Sequence, residues 1–265
     1  QYEGVTYGNF LKEETKDAKN CTDILRNPNI PEGGKLTDNG GIESLKHSFL
    51  KLCEDHGDEN YLGTREVLPD DELGEYRWTT YNEIKTKAMG LSKYLQDNNL
   101  CPRSFIKKEE SGCREDREFG FMGIYAKNKE EWVVTDLACI FNDVTSVPFY
   151  DTLGAGAVEF IINQTEIKSL VCTADKIKTL TKLKKNNKID SLETLIIFDE
   201  WDREKTKNSP FNIVSYYDAI DEGNKSEVEL KDPDIHSILC LCYTSGTTGA
   251  PKGAMISHMN MAFFV

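Results

Sequence analysis

The chain has 265 residues, 38% of them hydrophobic, and a net charge of −13, which is enough apolar material for a core that needs neither disulfides nor metal. Its mean hydropathy of −0.52, with no apolar run near the roughly 18 residues of a bilayer span, excludes an integral membrane domain within the sequence. The acidic balance argues against nucleic acid as the main partner, because phosphate contacts require a clustered basic face.

In chain order, residues 1–41 read as an extended amino-terminal arm, punctuated by Asn27-Pro28-Asn29, Pro31 and Gly33-Gly34. Residues 42–265 read as the ordered part. A first helix is expected over Ile42–Cys53, with Leu45, Phe49 and Leu52 on one face, and a second over Tyr81–Gln96 through Ile84, Ala88, Leu91 and Leu95. Thr79 or Thr80 caps the second, and Glu83 stands at the capping-box offset from Thr80. Charges dominate from Cys101 to Glu118, so that stretch reads as a solvated loop.

From Phe119 onward short apolar runs alternate with amphipathic stretches. Strands are expected at Phe119–Tyr125, Thr145–Phe149, Ser169–Cys172, Thr194–Phe198 and Ile235–Tyr243. Helices are expected at Glu130–Phe141, Gly154–Ile162, Ala174–Lys185 and Ile213–Ile220. Four strand-then-helix units make an α/β fold, a doubly wound and largely parallel sheet flanked by helices. Ligands in such sheets sit beyond the carboxyl ends of the strands.

The eight cysteines read as reduced core residues, since Cys139, Cys172, Cys240 and Cys242 lie in apolar runs and the Cys240/Cys242 spacing suits no zinc site. Gln1–Phe10 lacks the apolar core of a signal peptide. A leader or anchor before Gln1 stays open, because the chain does not start with Met. Lys176, Lys178, Lys182, Lys184, Lys185 and Lys188 admit attachment to an anionic membrane surface, but the preferred reading is the solvated face of a helix buried through Ile177, Leu180 and Leu183. Asp151 is read as a cap for the helix at Gly154, His258 as architectural, and Trp132, Tyr150 and Phe160 as either a lipid pocket or ordinary packing. Gly154-Ala155-Gly156 hints at a dinucleotide fingerprint, but Glu159 stands where the third glycine belongs.

Chemistry concentrates in Tyr243–Gly253, YTSGTTGAPKG. Hydroxyls and glycines directly after a buried strand let backbone N–H groups and side-chain donors converge on an anion, and Lys252 adds a mobile charge suited to phosphate. Together they form a polyphosphate cradle. It is not a Walker A loop, because Pro251 occupies the position of that motif's second glycine. The apolar Ala254–Ile256 that follows favours strand, loop, strand, with a helix starting only near Asn260.

This segment resembles the phosphate-binding signature of the acyl-adenylate-forming superfamily. Gly123–Thr173, notably NKEEW, TDLAC, SVPFYDTLG and EFIINQTE, is similar to eukaryotic long-chain fatty acyl-CoA synthetases, as are YLGTR at Tyr61–Arg65 and YRWTTYNE at Tyr76–Glu83. The resemblance covers about residues 42–265. Residues 101–118 and 199–209 depart from it.

The resemblance implies ATP-dependent activation of a long-chain fatty acid to an acyl-adenylate, then transfer to coenzyme A, with Mg²⁺ as cofactor. Thr244, Ser245, Gly246, Thr247, Thr248 and Gly249 would hold the β- and γ-phosphates, Thr244 would lie near Mg²⁺, and Lys252 would follow the departing pyrophosphate. The alternatives are another carboxylate-activating ligase or a non-catalytic nucleotide-binding module. The superfamily's Tyr-Gly-x-Thr-Glu motif, ribose-binding aspartate, hinge and carboxy-terminal lysine would all follow Val265. Residues 1–265 are therefore expected to form an amino-terminal portion that is inactive alone. An intracellular location is expected, on the cytosolic side and peripheral at a membrane such as the endoplasmic reticulum. Acyl chain length and oligomeric state are not legible.

Overall fold

The computed structural model describes residues 43–69, 72–107, 116–244 and 251–262, together with the backbone of two dipeptide strands at 9–10 and 25–26. The chain divides into two units, Gln1–Ile42 and Glu43–Val265. In the first, β1 (Asn9–Phe10) pairs antiparallel with β2 (Leu25–Arg26), and the rest of the expected arm lies outside the described residues.

The second unit opens with α1 (Leu45–His56), N-capped by Ser44 and buried through Phe49 and Cys53. Leu52, expected on the buried face, is instead exposed, because Cys53 takes the inward position one residue on. A hairpin follows, β3 (Asn60–Val67) against β4 (Leu73–Thr80). It leads directly into α2 (Tyr81–Asp97), where Thr80 accepts from the Glu83 amide and the Glu83 carboxylate accepts from the Thr80 amide, a complete capping box. Thr79 is committed elsewhere, donating to Glu130 at 2.7 Å.

The charged stretch is not all loop. β5 (Ser104–Ile106) pairs antiparallel with β6 (Arg117–Phe119), and residues 108–115 between them lie outside the described residues. The backbone ladder forms whatever the side-chain charges on its solvent side, which is why composition concealed it. The single strand expected from Phe119 is therefore two, divided at Gly120. A Cβ on Gly120 would come within 2.8 Å of the Cys101 carbonyl.

The remaining elements are β7 (Phe121–Tyr125), α3 (Glu130–Phe141), β8 (Thr145–Phe149), α4 (Ala155–Thr165), β9 (Ser169–Cys172), α5 (Ile177–Lys185) after a 3₁₀ turn at Ala174–Lys176, and β10 (Thr194–Ile197). Then come a short α6 (Arg203–Thr206), β11 (Asn212–Ser215), α7 (Tyr216–Gly223), β12 (Ile238–Thr244), β13 (Lys252–Ser257) and α8 (His258–Ala262). The helix expected at Ile213–Ile220 begins only at Tyr216. Ile213 and Val214 instead extend the sheet beside Leu195 and Ile196, and Ser215 caps the helix by accepting from the Asp218 amide.

Strands β7 to β13 form one sheet in the order β11-β10-β9-β7-β8-β12-β13. It is parallel throughout, except that β13 runs antiparallel to β12. This is the doubly wound α/β architecture. Alternate residues enter opposite cores: Val171 and Ile196 pack with Leu91, Val134, Phe141 and Tyr216 on one face, while Leu170, Cys172, Leu195 and Ile197 pack with Val158, Ile161 and Leu180 on the other. Burial on both faces explains why these strands read as continuous apolar runs rather than alternating ones. Among the described residues, no helix is long and apolar enough to cross a membrane.

Candidate functional site

Strand β12 carries the chain up through the sheet by burying Leu239, Leu241 and Tyr243, and it ends at Thr244. The chain returns at Lys252 in β13, and the register makes Thr244 and Lys252 direct partners, with Tyr243 opposite Gly253. The arrangement is strand, loop, strand, as the apolar Ala254–Ile256 indicated. Directly opposed residues project from the same face with Cβ atoms roughly 5 Å apart, so a hydroxyl-bearing and an ammonium-bearing side chain start side by side at the strand end. Both residues are exposed, and Lys252 makes no ion pair among the described residues. Ser245, Gly246, Thr247, Thr248 and Gly249 lie outside the described residues.

Because β7, β8, β9 and β10 run parallel to β12, their carboxyl ends share the edge at which Thr244 emerges. The strand order reverses direction around β7, since β8 lies on one side and β9 on the other, and that is the place where open α/β sheets form ligand crevices. A cleft of about 500 Å³ lies on the β8 side of this point, beyond the carboxyl ends of β7 and β8, lined by Lys127, Asn128, Trp132, Phe149, Tyr150 and Asp151. Tyr150 joins the cleft to β12, its hydroxyl lying 3.8 Å from the Cys242 sulfur. Of the three aromatics weighed as a pocket, Trp132 and Tyr150 line this cleft, while Phe160 packs against the core on the α4 and α5 side.

Two residues at this edge differ from the sequence reading. Asp151 does not cap α4, whose N-cap is Gly154 with no side-chain bond. It pairs instead with Lys176, Oδ1 to Nζ 2.5 Å, and more distantly with Lys127 at 4.0 Å. Lys176 is accordingly not on the solvated face of α5. It is only 9% exposed, sits 4.9 Å over the Tyr125 ring, and also meets Asp175 at 2.9 Å. Burial disfavours its charge, but the Asp151 and Asp175 carboxylates outweigh that and hold Lys176 above the ordinary lysine range. The contact spans 25 residues, so no local pattern could have announced it. Lys178, Lys182 and Lys185 do face solvent.

His258 is 1% exposed. Its Nδ1 accepts from the Leu45 amide at 3.4 Å and its own amide donates to Ser237, tying α8 to the start of α1, so it serves architecture. Burial pushes its pKa below the ordinary histidine value. The unfolded chain therefore binds more protons than the folded one below about pH 6.5. The associated stability is present above that value and is lost as pH falls toward the depressed folded pKa. His258→Asn is expected to flatten this part of the pH dependence between pH 7 and 5. Denaturant unfolding of both proteins across that range checks it, and an unchanged slope would contradict the assignment.

The six cysteines among the described residues are free. Burial pushes Cys101 and Cys240 up to about 12 and Cys139 well above its usual value, which suits packing rather than nucleophilic attack. Among the described residues no group of three or more His, Cys, Asp or Glu could hold a metal ion. The Thr244 hydroxyl is a single oxygen donor at the end of β12. That donor set fits Mg²⁺, which takes one or two protein oxygens and completes its shell with phosphates and water.

The profile of the AMP-binding enzyme family matches residues 58–265. The chain belongs to the AMP-binding enzyme family. It is 31% identical over 241 residues to the peroxisomal long chain acyl-CoA synthetase 7 of Arabidopsis thaliana, covering 90% of this chain and 30% of that protein. It is 32% identical over 190 residues to the long-chain-fatty-acid–CoA ligase 5 of Rattus norvegicus, covering 70% and 26%. The chain thus spans 30% and 26% of the lengths of these two curated relatives. Among solved structures, the adenylation domain of a carboxylate reductase from Mycobacterium chelonae superposes with a TM-score of 0.66 at 21% identity, covering 88% of this chain and 37% of that one. The last likeness shows that the chain shares the fold of part of that adenylation domain. Within the family match, YLGTR and YRWTTYNE are the two strands of the β3–β4 hairpin and the start of α2.

Proposed function

We propose that the full-length protein is a long-chain fatty acyl-CoA synthetase, in which residues 42–265 supply the first part of the AMP-binding domain and residues 1–41 an amino-terminal extension. The observation that supports the reading is that Thr244 and Lys252, the two ends of the phosphate-type sequence, are register partners on β12 and β13 at the carboxyl end of the parallel strands. The relatives' names supply the substrate class. In the first step a fatty carboxylate attacks the α-phosphate of ATP, forming the acyl–O–P bond and breaking the bond to pyrophosphate. The thiol of coenzyme A then displaces AMP from the acyl carbon.

Neither step needs a nucleophilic side chain. The demand is for donors and cations that relieve repulsion between the carboxylate and the triphosphate and neutralise the leaving group. Thr244, Ser245, Gly246, Thr247, Thr248 and Gly249 are assigned to the β- and γ-phosphates, and Lys252 to the pyrophosphate as it departs. Thr244 would hold Mg²⁺, which supplies charge neutralisation across the phosphates when bound. An intracellular location, peripheral on the cytosolic side of a membrane, goes with this substrate and is part of the proposal.

ATP–pyrophosphate exchange by the full-length protein, run with acids from acetate to stearate, tests it. Exchange is expected to rise with chain length and to peak among long-chain acids. A peak at short or aromatic acids would favour a different ligase. Nucleotide binding without exchange on any acid would favour a non-catalytic module.

A further inference from the structure

We propose that Tyr243 and Gln164 are positioning residues that hold Thr244 and Lys252 in the relative placement the phosphates require, an inference that rests on the reading of Thr244–Lys252 given above. Tyr243 is the last residue of β12 before Thr244 and is only 4% exposed. Its register partner is Gly253, the residue after Lys252. The phenol ring lies against that glycine: a Cβ built on Gly253 would sit 3.1 Å from Cζ and 3.3 and 3.4 Å from the two Cε atoms. Any larger residue would push the ring away, since contacts this short exceed what packed side chains tolerate without displacement. One ring thus spans the residues that flank the Thr244–Lys252 pair on its strand side.

The hydroxyl borne by that same end of the ring is fixed as well. The Tyr243 hydroxyl donates to Gln164 Oε1 at 2.7 Å. Burial pushes that hydroxyl up to about 12, which keeps it protonated as the donor. Gln164 belongs to α4, whose Val158, Ile161 and Ile162 are fully buried against the sheet, and the next residue, Thr165, bonds back to the Ile161 carbonyl at 2.7 Å. A rigid helix therefore holds the tip of the ring, and the ring holds Gly253. A hydrophobic core position would be served equally well by phenylalanine. The hydroxyl and its partner 79 residues away matter only if the ring's placement matters. Pre-set donors spare the reorganisation that would otherwise oppose binding.

The test uses the full-length protein in ATP–pyrophosphate exchange. Tyr243→Phe and Gln164→Leu are each expected to raise KM for ATP about five- to tenfold, the worth of one neutral hydrogen bond, with kcat changed less than about twofold. The double variant should match either single variant, because both break one bond. Gln164→Glu, which keeps an acceptor, should restore most of the loss. A KM for ATP within twofold of wild type in Tyr243→Phe, or additive losses in the double variant, overturns the proposal. Should the wild type exchange no pyrophosphate with any acid, the functional reading fails on its own account, and amide hydrogen exchange at Thr244 and Lys252 decides the positioning. Faster exchange in Tyr243→Phe then upholds it, and unchanged exchange rejects it.

Discussion

Lys252→Ala in the full-length protein is expected to slow ATP–pyrophosphate exchange roughly 10- to 150-fold while leaving the fold intact. The magnitude is that of a hydrogen bond to a charged group, about 1.5–3 kcal/mol, lost from the step in which pyrophosphate leaves. Stability should move by less than about 0.5 kcal/mol, because the Lys252 side chain is exposed at the first position of β13 and makes no ion pair among the described residues. The backbone bonding to Thr244 does not depend on the side chain. Lys252→Arg keeps the charge but replaces a compact ammonium with a planar fork, so it should recover only part of the rate. Exchange kinetics and thermal unfolding, measured on the same preparations, separate the two effects. A variant that exchanges pyrophosphate at the wild-type rate would remove Lys252 from the site.

The largest expected loss of stability lies where α2 and α7 cross. Gly223 ends α7, and a Cβ there would lie 1.8 Å from the Gly90 carbonyl oxygen and 2.9 Å from the Tyr94 amide nitrogen. Gly90 is equally confined, its Cβ position falling 2.7 Å from the Ile220 carbonyl and 2.6 Å from Asn224 Oδ1. The obstacles at Gly223 are backbone atoms that cannot rotate aside, so a methyl group must separate the helices. Gly223→Ala is therefore expected to cost about 2–3 kcal/mol, as overpacking of a close contact does, even though alanine is intrinsically the better helix former by about 1 kcal/mol. Gly156→Ala is the matching control. Gly156 sits in the first turn of α4 with nothing within 4 Å of its Cβ position, so the same substitution should stabilise by about 0.5 kcal/mol or more. Equal melting temperatures for Gly223→Ala and wild type would show that the helices do not approach this closely.

The contrast between these two glycines marks how far the sequence could be read. Gly156 opens α4 and Gly223 closes α7, and nothing in the neighbouring residues of either announces whether a methyl group would fit. Only the crossing of two helices more than a hundred residues apart makes one replaceable and the other not.

Legibility followed interaction range throughout. The capping box at Thr80 and Glu83, the apolar runs of β8 and β9, and the amphipathic α3 were read with their boundaries, because each is governed by residues within a turn or a strand of one another. The doubly wound class followed from the alternation of those elements, and YTSGTTGAPKG supplies the residue types on which the proposed phosphate contacts rest. The β5–β6 pair was concealed by its charges, and Ile213–Ser215 was taken for helix, because β-strands are stabilised by partners distant in sequence and the local pattern of a short edge strand is ambiguous.

At the candidate site the division is the same. The sequence by itself determined that a strand, rather than a helix, follows the loop after Thr244, and its residue types are the basis of the proposed polyphosphate contacts. Tertiary structure alone decided that Thr244 and Lys252 stand opposite one another, that Lys176 is drawn out of solvent onto Asp151 and the Tyr125 ring, and that Gln164 reaches the Tyr243 hydroxyl. Each of those contacts joins elements separated by a crossover or a turn of the chain. Their geometry is set by how the sheet orders its strands and how α4 packs on it, and no window of neighbouring residues encodes that.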